Sequence, residues 1–480
     1  MPSLLIVTEK FDVGGLETYI RGQVRAMARA GWRVFLACGG EPRPELLPGE
    51  IVASCRGLPL GGAANAAQLL HTTRALRQFI QAHGITHVHG HPFTSLFPAL
   101  LAAKLEGVPY LATLHGPSSL NPGFGPCNDF LLGNLVLGLA DRILAVSEEV
   151  RDLAAPYLED GRLVVQVNAI DPEVFRPADA VDETARWLLV SRLDAFKIIG
   201  IRQFANHAHT MGLPGLDIAG DGPAETALRE QLARDGLGDF VRFLGVRADI
   251  PELMRASAGV AGMGRVLLEG LASGRPCCLV GYDGAKGMVD PALFDAAAAA
   301  NFSGRNLPNA SVEELSRQLA HSEGKGDPAL GRKVSSRHAE AVVWQKFADD
   351  LVPLLARPAP LLSDLYAVLE SETVQADTTP YMQSGVFSYE MGRVIHGTRH
   401  FSPGLAAAYA FYWRHAQGQG AQWHAAANGQ VAASLAEIRQ ELAAVREQAD
   451  TLQRTLQERL AAEESKAGWW TRFMQKGGRD

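Results

Sequence analysis

Short strand-like runs of five or six residues recur along this chain, each followed by a longer amphipathic stretch. LLIVT at 4–8, RVFLAC at 33–38, HVHGH at 87–91, YLATLH at 110–115, RILAVS at 142–147 and LVVQVN at 163–168 form a first series. Runs of this length fit strands buried on both faces, and the amphipathic segments between them supply the crossovers that a parallel sheet needs. A polar, proline-marked stretch near 171–185, DPEVFRPADAVDETA, interrupts the rhythm. It restarts with WLLVS at 187–191, LDIAG at 216–220, VRFLG at 241–245, SAGVAG at 257–262 and PCCLVG at 276–281. Two successive doubly wound α/β domains are expected, with ligands in the crevice outside the carboxyl ends of the strands.

Composition narrows the function classes. A net charge of -7 gives no electrostatic footprint for DNA or RNA, so nucleic acid is not an expected partner. No apolar run reaches the ~20 residues of a membrane helix, and FPALLAAKLEGVPYLATLHG is broken by Lys104 and Glu106. The start, MPSLLIVTEKFD, lacks a basic segment followed by an apolar core. The cysteines, Cys38, Cys55, Cys127, Cys277 and Cys278, have no CxxC spacing. A reducing cytoplasm is the expected location.

The segment GMGRVLLEGLASGRP, 262–276, carries the clearest candidate site. Gly262 and Gly264 let the backbone approach a ligand closely, and the helix that follows offers unpaired N–H groups and the positive end of its dipole. Gly274 and Pro276 end that helix. Glu269, about one and a half turns in, is placed to reach a sugar hydroxyl beside the phosphates. Gly14 and Gly15 likewise follow a strand and precede a helix, as either a phosphate-capping turn or a plain strand-to-helix turn, and Glu17 there would complement the helix dipole. His87, His89 and His91 share one strand face, but no Asp, Glu or Cys joins them locally, and no metal is assigned to them.

Set in order, the motifs GGLETYI (14–20), TLHGP (113–117), ADRILAVSEEV (140–150), NAID followed by FRP (168–177), SRLDAFK (191–197), AGDGP (219–223), VRFLG (241–245) and GMGRVLLEGLASGRP resemble glycosyltransferase family 4. The similarity covers about residues 4–345, and NFSGRN at 301–306 resembles the subset with a GxGR-type loop. The resemblance implies a GT-B fold, two Rossmann-like domains facing across a cleft. It also implies a retaining, metal-independent enzyme with no cofactor, whose substrate is a nucleotide-diphosphate sugar. It assigns Arg192 and Lys197 to the diphosphate, Glu269 to the ribose hydroxyls and His115 to the neighbourhood of the reacting sugar. Gly14, Gly15, Gly220, Val246, Gly262, Met263, Gly264 and Arg265 complete the implied donor site. His115 is equally readable as a partly buried structural histidine. The first glutamate of the family's E-x7-E motif is replaced by Ala261, and Arg265 stands where an apolar residue is commoner. One hypothesis is a site shifted from carboxylate contacts to backbone amides plus Arg265. No Asp or Glu pair presents itself as nucleophile and acid, so front-face attack on the donor is the implied route.

Domain limits are expected at 1–178 (acceptor side), 179–357 (donor side), 358–430 (helical extension) and 431–480. In the last segment Leu435, Ile438, Leu442, Val445, Ala449, Leu452 and Leu456 form a heptad seam, which points to a coiled coil and a homo-oligomer. Trp469, Trp470, Phe473 and Met474 among Lys466, Arg472, Lys476 and Arg479 suit either a membrane surface, at its inner face, or a cap on the coiled coil. Two function classes stay open: a glycosyltransferase building a cell-surface glycan on a glycan or lipid-linked acceptor, and a catalytically degenerate GT-B scaffold working through its coiled coil.

Overall fold

The computed structural model describes residues 1–419, apart from 13, 43, 121–124, 159–160, 178–183, 322–324 and 398–401. The first half forms a seven-stranded parallel sheet from β1 (Ser3–Thr8), β2 (Arg33–Cys38), β3 (Ile51–Cys55), β4 (His87–Gly90), β5 (Tyr110–Leu114), β6 (Arg142–Ala145) and β7 (Leu163–Val165). Its spatial order is β3-β2-β1-β4-β5-β6-β7. The second half repeats the plan with six strands: β8 (Trp187–Val190), β9 (Leu216–Ala219), β10 (Val241–Gly245), β11 (Val260–Gly262), β12 (Cys277–Val280) and β13 (Ala285–Met288). They run in the order β10-β9-β8-β11-β12-β13, and only β13 is antiparallel to its neighbour. In each sheet the order reverses beside the first strand, between β1 and β4 and between β8 and β11, which opens a crevice at the carboxyl ends.

The central strands are buried along their whole length, as their continuous apolar character requires. Two strands escape the apolar pattern. β3 is a partly exposed edge strand, and β13, AKGM, carries a lysine and a glycine. Helices cover the sheets. The helix Ala66–His83 starts in a capping box between Asn65 and Gln68 and turns Leu69, Leu70, Leu76 and Ile80 inward.

The chain crosses between the sheets at Asn168–Ile170 and returns at His338–Glu340, and the two crossings are bonded to each other. The Ile170 N–H donates to the His338 carbonyl at 2.7 Å, and the Glu340 N–H donates to the Ile170 carbonyl at 2.8 Å. The His338 Nδ1–H adds a bond to the Asn168 carbonyl at 2.9 Å. After the return, helix Glu340–Leu351 puts Val343, Trp344, Phe347, Ala348 and Leu351 into the core of the first sheet, with Tyr19, Val24 and Met27. The sequence division that assigns everything to residue 357 to the second half therefore needs correcting here: this amphipathic helix buries its face on the first. Periodicity reveals an apolar face but not its partner.

The extension as far as Tyr412 also lies on the first half. Helix Pro360–Glu370 packs on Ala66–His83 and Leu96–Leu105, with Glu370 paired to Arg74 at 2.9 Å. Helix Gly385–Ile395 is capped by Ser384, and Tyr409 and Tyr412 pack on Phe130, each with ring centroids 5.5 Å apart. The heptad seam 435–456 and the aromatic and basic residues after it lie outside the described residues.

Trp344 is 2% exposed and meets Tyr19 edge-on at 4.8 Å. Trp344→Ala is expected to cost about 3–5 kcal/mol, read as a lower urea midpoint of the first half. An unchanged midpoint would show that the returning helix is not part of that core.

Candidate active site

The carboxyl ends of β8 and β11 bear the candidate donor residues. Gly264 caps the helix Arg265–Ala272 with φ 63°, a left-handed conformation that favours glycine. Its N–H donates to the Phe302 carbonyl at 2.7 Å. The NFSGRN loop that supplies this carbonyl holds Asn301 and Phe302 at φ 52° and 55°. Such a backbone costs on the order of 1–3 kcal/mol per residue, and burial of Phe302 against Phe294 offsets it. Arg305 of the same loop reaches the first half, pairing with Glu149 at 2.6 Å.

Glu269 is buried, and its carboxylate accepts from Arg265 Nε at 2.5 Å, one helical turn away. Arg265 Nη1 donates to the Ala169 carbonyl of the first crossing, also at 2.5 Å. Arg265 is thus an internal clamp between donor helix and crossing. It is not a free cation. Ala261 lies in β11 at 0% exposure, in the core of the second sheet, so no carboxylate replaces the missing glutamate from that position.

Arg192 and Lys197 follow β8 and converge on one carboxylate. Asp194 accepts from Arg192 at 2.9 Å and Lys197 at 3.4 Å, which leaves one net positive charge at the strand end. Gly220, at the end of β9, approaches so closely that a Cβ there would lie 2.0 Å from the Ser191 carbonyl. Val246, just past β10, is 56% exposed, while Met263 packs partly into the core.

On the first half, Gly14 and Gly15 open the helix Gly15–Arg29 at the end of β1. A Cβ added to Gly15 would meet nothing within 4 Å, whereas the Glu17 carboxylate folds back beside Gly14. Sequence reasoning passed over Arg21. It is half-buried one turn beyond Glu17 and bonds to Thr18 Oγ1 at 3.1 Å; burial lowers its pKa most, Glu17 opposes this, and Arg25 and Arg265 add to the lowering. Its four-residue spacing from Glu17 was the available signal.

His115 closes β5. Its Nε2 is 2.9 Å from His91 Nδ1, and its ring meets Tyr19 edge-on at 4.8 Å. Burial pushes its pKa down to about 3, so it is a neutral imidazole. The histidines of β4 and its end each have partners: His87 reaches Thr86 and the Leu351 carbonyl, and His89 reaches Gln23 and Thr113. Among the described residues no group of three or more His, Cys, Asp or Glu side chains could hold a metal ion. A concavity of about 290 Å³ lies at the opposite, amino ends of β8–β10, where Asp217 already pairs Arg186 and Arg242.

A family model described as Glycosyltransferase Family 4 matches residues 13–174. EpsF of Bacillus subtilis, named as a glycosyltransferase by provisional assignment, is 29% identical over 307 residues, 58% of this chain and 78% of its own. Together these matches support a GT-B glycosyltransferase similar to family 4. A D-inositol 3-phosphate glycosyltransferase of Nocardiopsis dassonvillei is 25% identical over 389 residues, 71% of this chain and 89% of that one. The crystal structure of Anabaena HepE in complex with UDP and glucose shares the GT-B fold, with a TM-score of 0.57, 19% identity, 74% of this chain and 100% of that chain covered.

The Arg265–Glu269 pair has a pH signature. Burial raises the Glu269 pKa above the ordinary carboxylate range, and Arg265 pulls it back. A carboxyl raised in the folded state stabilises the fold when protonated, so its contribution declines as pH rises from the ordinary range through the folded value. In urea denaturation between about pH 4 and 7, Glu269→Gln is expected to flatten that decline and Arg265→Met to steepen it. An unaltered curve in Arg265→Met would contradict the ion pair.

Proposed function

We propose that this chain transfers a sugar from a nucleotide-diphosphate sugar to a glycan or lipid-linked acceptor in cell-surface polysaccharide synthesis, with retention and without a metal or cofactor. The observation that carries this is the Arg192–Asp194–Lys197 cluster, whose excess positive charge sits at the strand end beside the helix of Glu269. Negative charge grows on a departing nucleoside diphosphate as the glycosidic bond breaks, and fixed cations and helix N–H groups lower the barrier there. The UDP and glucose bound by Anabaena HepE support a nucleotide sugar as donor class.

In the front-face route the acceptor hydroxyl attacks from the side that the diphosphate leaves, and a phosphate oxygen takes its proton. The bond from the acceptor oxygen to the anomeric carbon forms as the bond to the diphosphate oxygen breaks. The protein's part is positioning and electrostatics. Arg192 and Lys197 neutralise the leaving group, and neutral His115 offers a hydrogen bond without acting as a base. Glu269 exchanges its Arg265 contact for the ribose diol.

Ala261 favours a second reading, a degenerate scaffold that binds a nucleotide sugar, or nothing, and works through its coiled coil. Thermal shift with a panel of nucleotide sugars tests the transferase reading: wild type is expected to gain Tm with one donor and Glu269→Ala to lose most of that gain. Lys197→Ala is expected to lower transfer, measured as kcat/KM, by about 10²- to 10³-fold. Donor binding with no transfer to any acceptor would select the scaffold, and no shift with any nucleotide would reject the transferase reading.

A further inference from the structure

We infer that His91 is a positioning residue that fixes the tautomer of His115, so that His115 presents a neutral Nδ1–H donor to the cleft. The inference rests on the glycosyltransferase reading for its functional meaning, and on ring geometry for everything else.

β4 and β5 are neighbours in register, with Gly90 opposite Ala112. The residues that follow them run side by side towards the cleft, and this brings His91 Nδ1 within 2.9 Å of His115 Nε2. In such a contact between neutral rings, one nitrogen donates and the other accepts. The rest of His91 decides which. His91 is 0% exposed, and its Nε2 has no hydrogen-bond partner among the described residues.

Suppose His115 donated from Nε2. His91 would then carry its own proton on Nε2, as a buried N–H with nothing to accept it. Orphaned N–H groups are the polar defect that protein interiors tolerate least, whereas an unpaired acceptor is tolerated more often. In the opposite arrangement His91 Nδ1–H donates, His115 Nε2 accepts, and only a lone pair on His91 stays unpaired. His115 then holds its proton on Nδ1, the ring nitrogen that does not meet His91.

The surroundings hold the pair in place. The His89 ring lies 4.3 Å from the His91 ring, and is itself anchored by Gln23 at 2.8 Å and Thr113 at 2.7 Å. Tyr19, from the helix Gly15–Arg29, meets the His91 and His115 rings edge-on at 5.8 and 4.8 Å. The titratable groups packed on the pair are therefore His89 and Tyr19, both buried, and neither brings a negative charge that would favour imidazolium. A neutral Nδ1–H can donate to a sugar hydroxyl and cannot be displaced into a base by its neighbour.

Long-range proton–nitrogen NMR correlations on the full chain labelled with ¹⁵N-histidine read the tautomer directly, with signals assigned through His115→Gln and His91→Phe. The wild type is expected to show His115 protonated on Nδ1, and His91→Phe to move part of that population to Nε2. In transfer assays His91→Phe is expected to lower kcat by about 10- to 100-fold with donor KM within about 3-fold. His91→Asn, whose side-chain amide can replace Nδ1, restores most of kcat. An Nε2-protonated His115 in an active wild type, or wild-type kcat in His91→Phe, overturns the inference. A wild type without transfer but with His115 protonated on Nδ1 overturns the glycosyltransferase reading and leaves the tautomer assignment standing.

Discussion

Two backbone hydrogen bonds, between Ile170 and the His338–Glu340 turn, hold together the two places where the chain passes between its sheets. Much of the cleft is organised around that knot. Asn168 bonds to Asn301 at 2.8 Å, which ties the knot to the strained NFSGRN loop, and the loop in turn caps Gly264. Ala169 accepts from Arg265 on the donor helix, while Glu340, just beyond the knot, pairs with Arg25 of the helix that opens at Gly14–Gly15. Elements from both lips of the cleft thus share one short stretch of backbone as their reference point.

The electrostatics follow from that arrangement. Several charged groups at the cleft are paired: Glu269 has Arg265, Arg192 and Lys197 share Asp194, and Arg305 has Glu149. Of these Arg265–Glu269 is the most deeply buried, so removing one of its members leaves an uncompensated charge and is costly. A ligand that brings both a diol and a diphosphate can exchange with them together. In the proposed reaction the ribose end replaces a guanidinium on Glu269, and the diphosphate end meets the cations that Asp194 only half neutralises.

Most of the fold was legible because parallel sheets buried on both faces demand continuous apolar strands, and this chain spells nearly all of them. β3 and β13 were not legible, since an edge strand needs only one buried face and AKGM looks like a turn. The destination of Glu340–Leu351 was also hidden. Its apolar stripe would suit either sheet, and only the knot at Ile170 decides between them. At the site, motif order put Arg192, Lys197 and His115 just past strand ends and Glu269 on the helix after β11, yet gave no hint of what each would touch. The four-residue spacing of Arg265 and Glu269 did signal an ion pair, a simpler physical reading than a free cation. The His91–His115 bond joins residues 24 apart in the chain, and it follows from the adjacency of β4 and β5, which sequence spacing does not contain.

The central claim is that a nucleotide sugar is held at the carboxyl ends of β8 and β11 and covered by the first half. Hydrogen–deuterium exchange of the full chain, with and without a saturating nucleotide sugar, tests it most directly. The account predicts slowed exchange in 191–200, 219–222 and 262–269, with a second zone at 14–21 and 113–116. Protection confined to other segments, or none at any donor concentration, would contradict it.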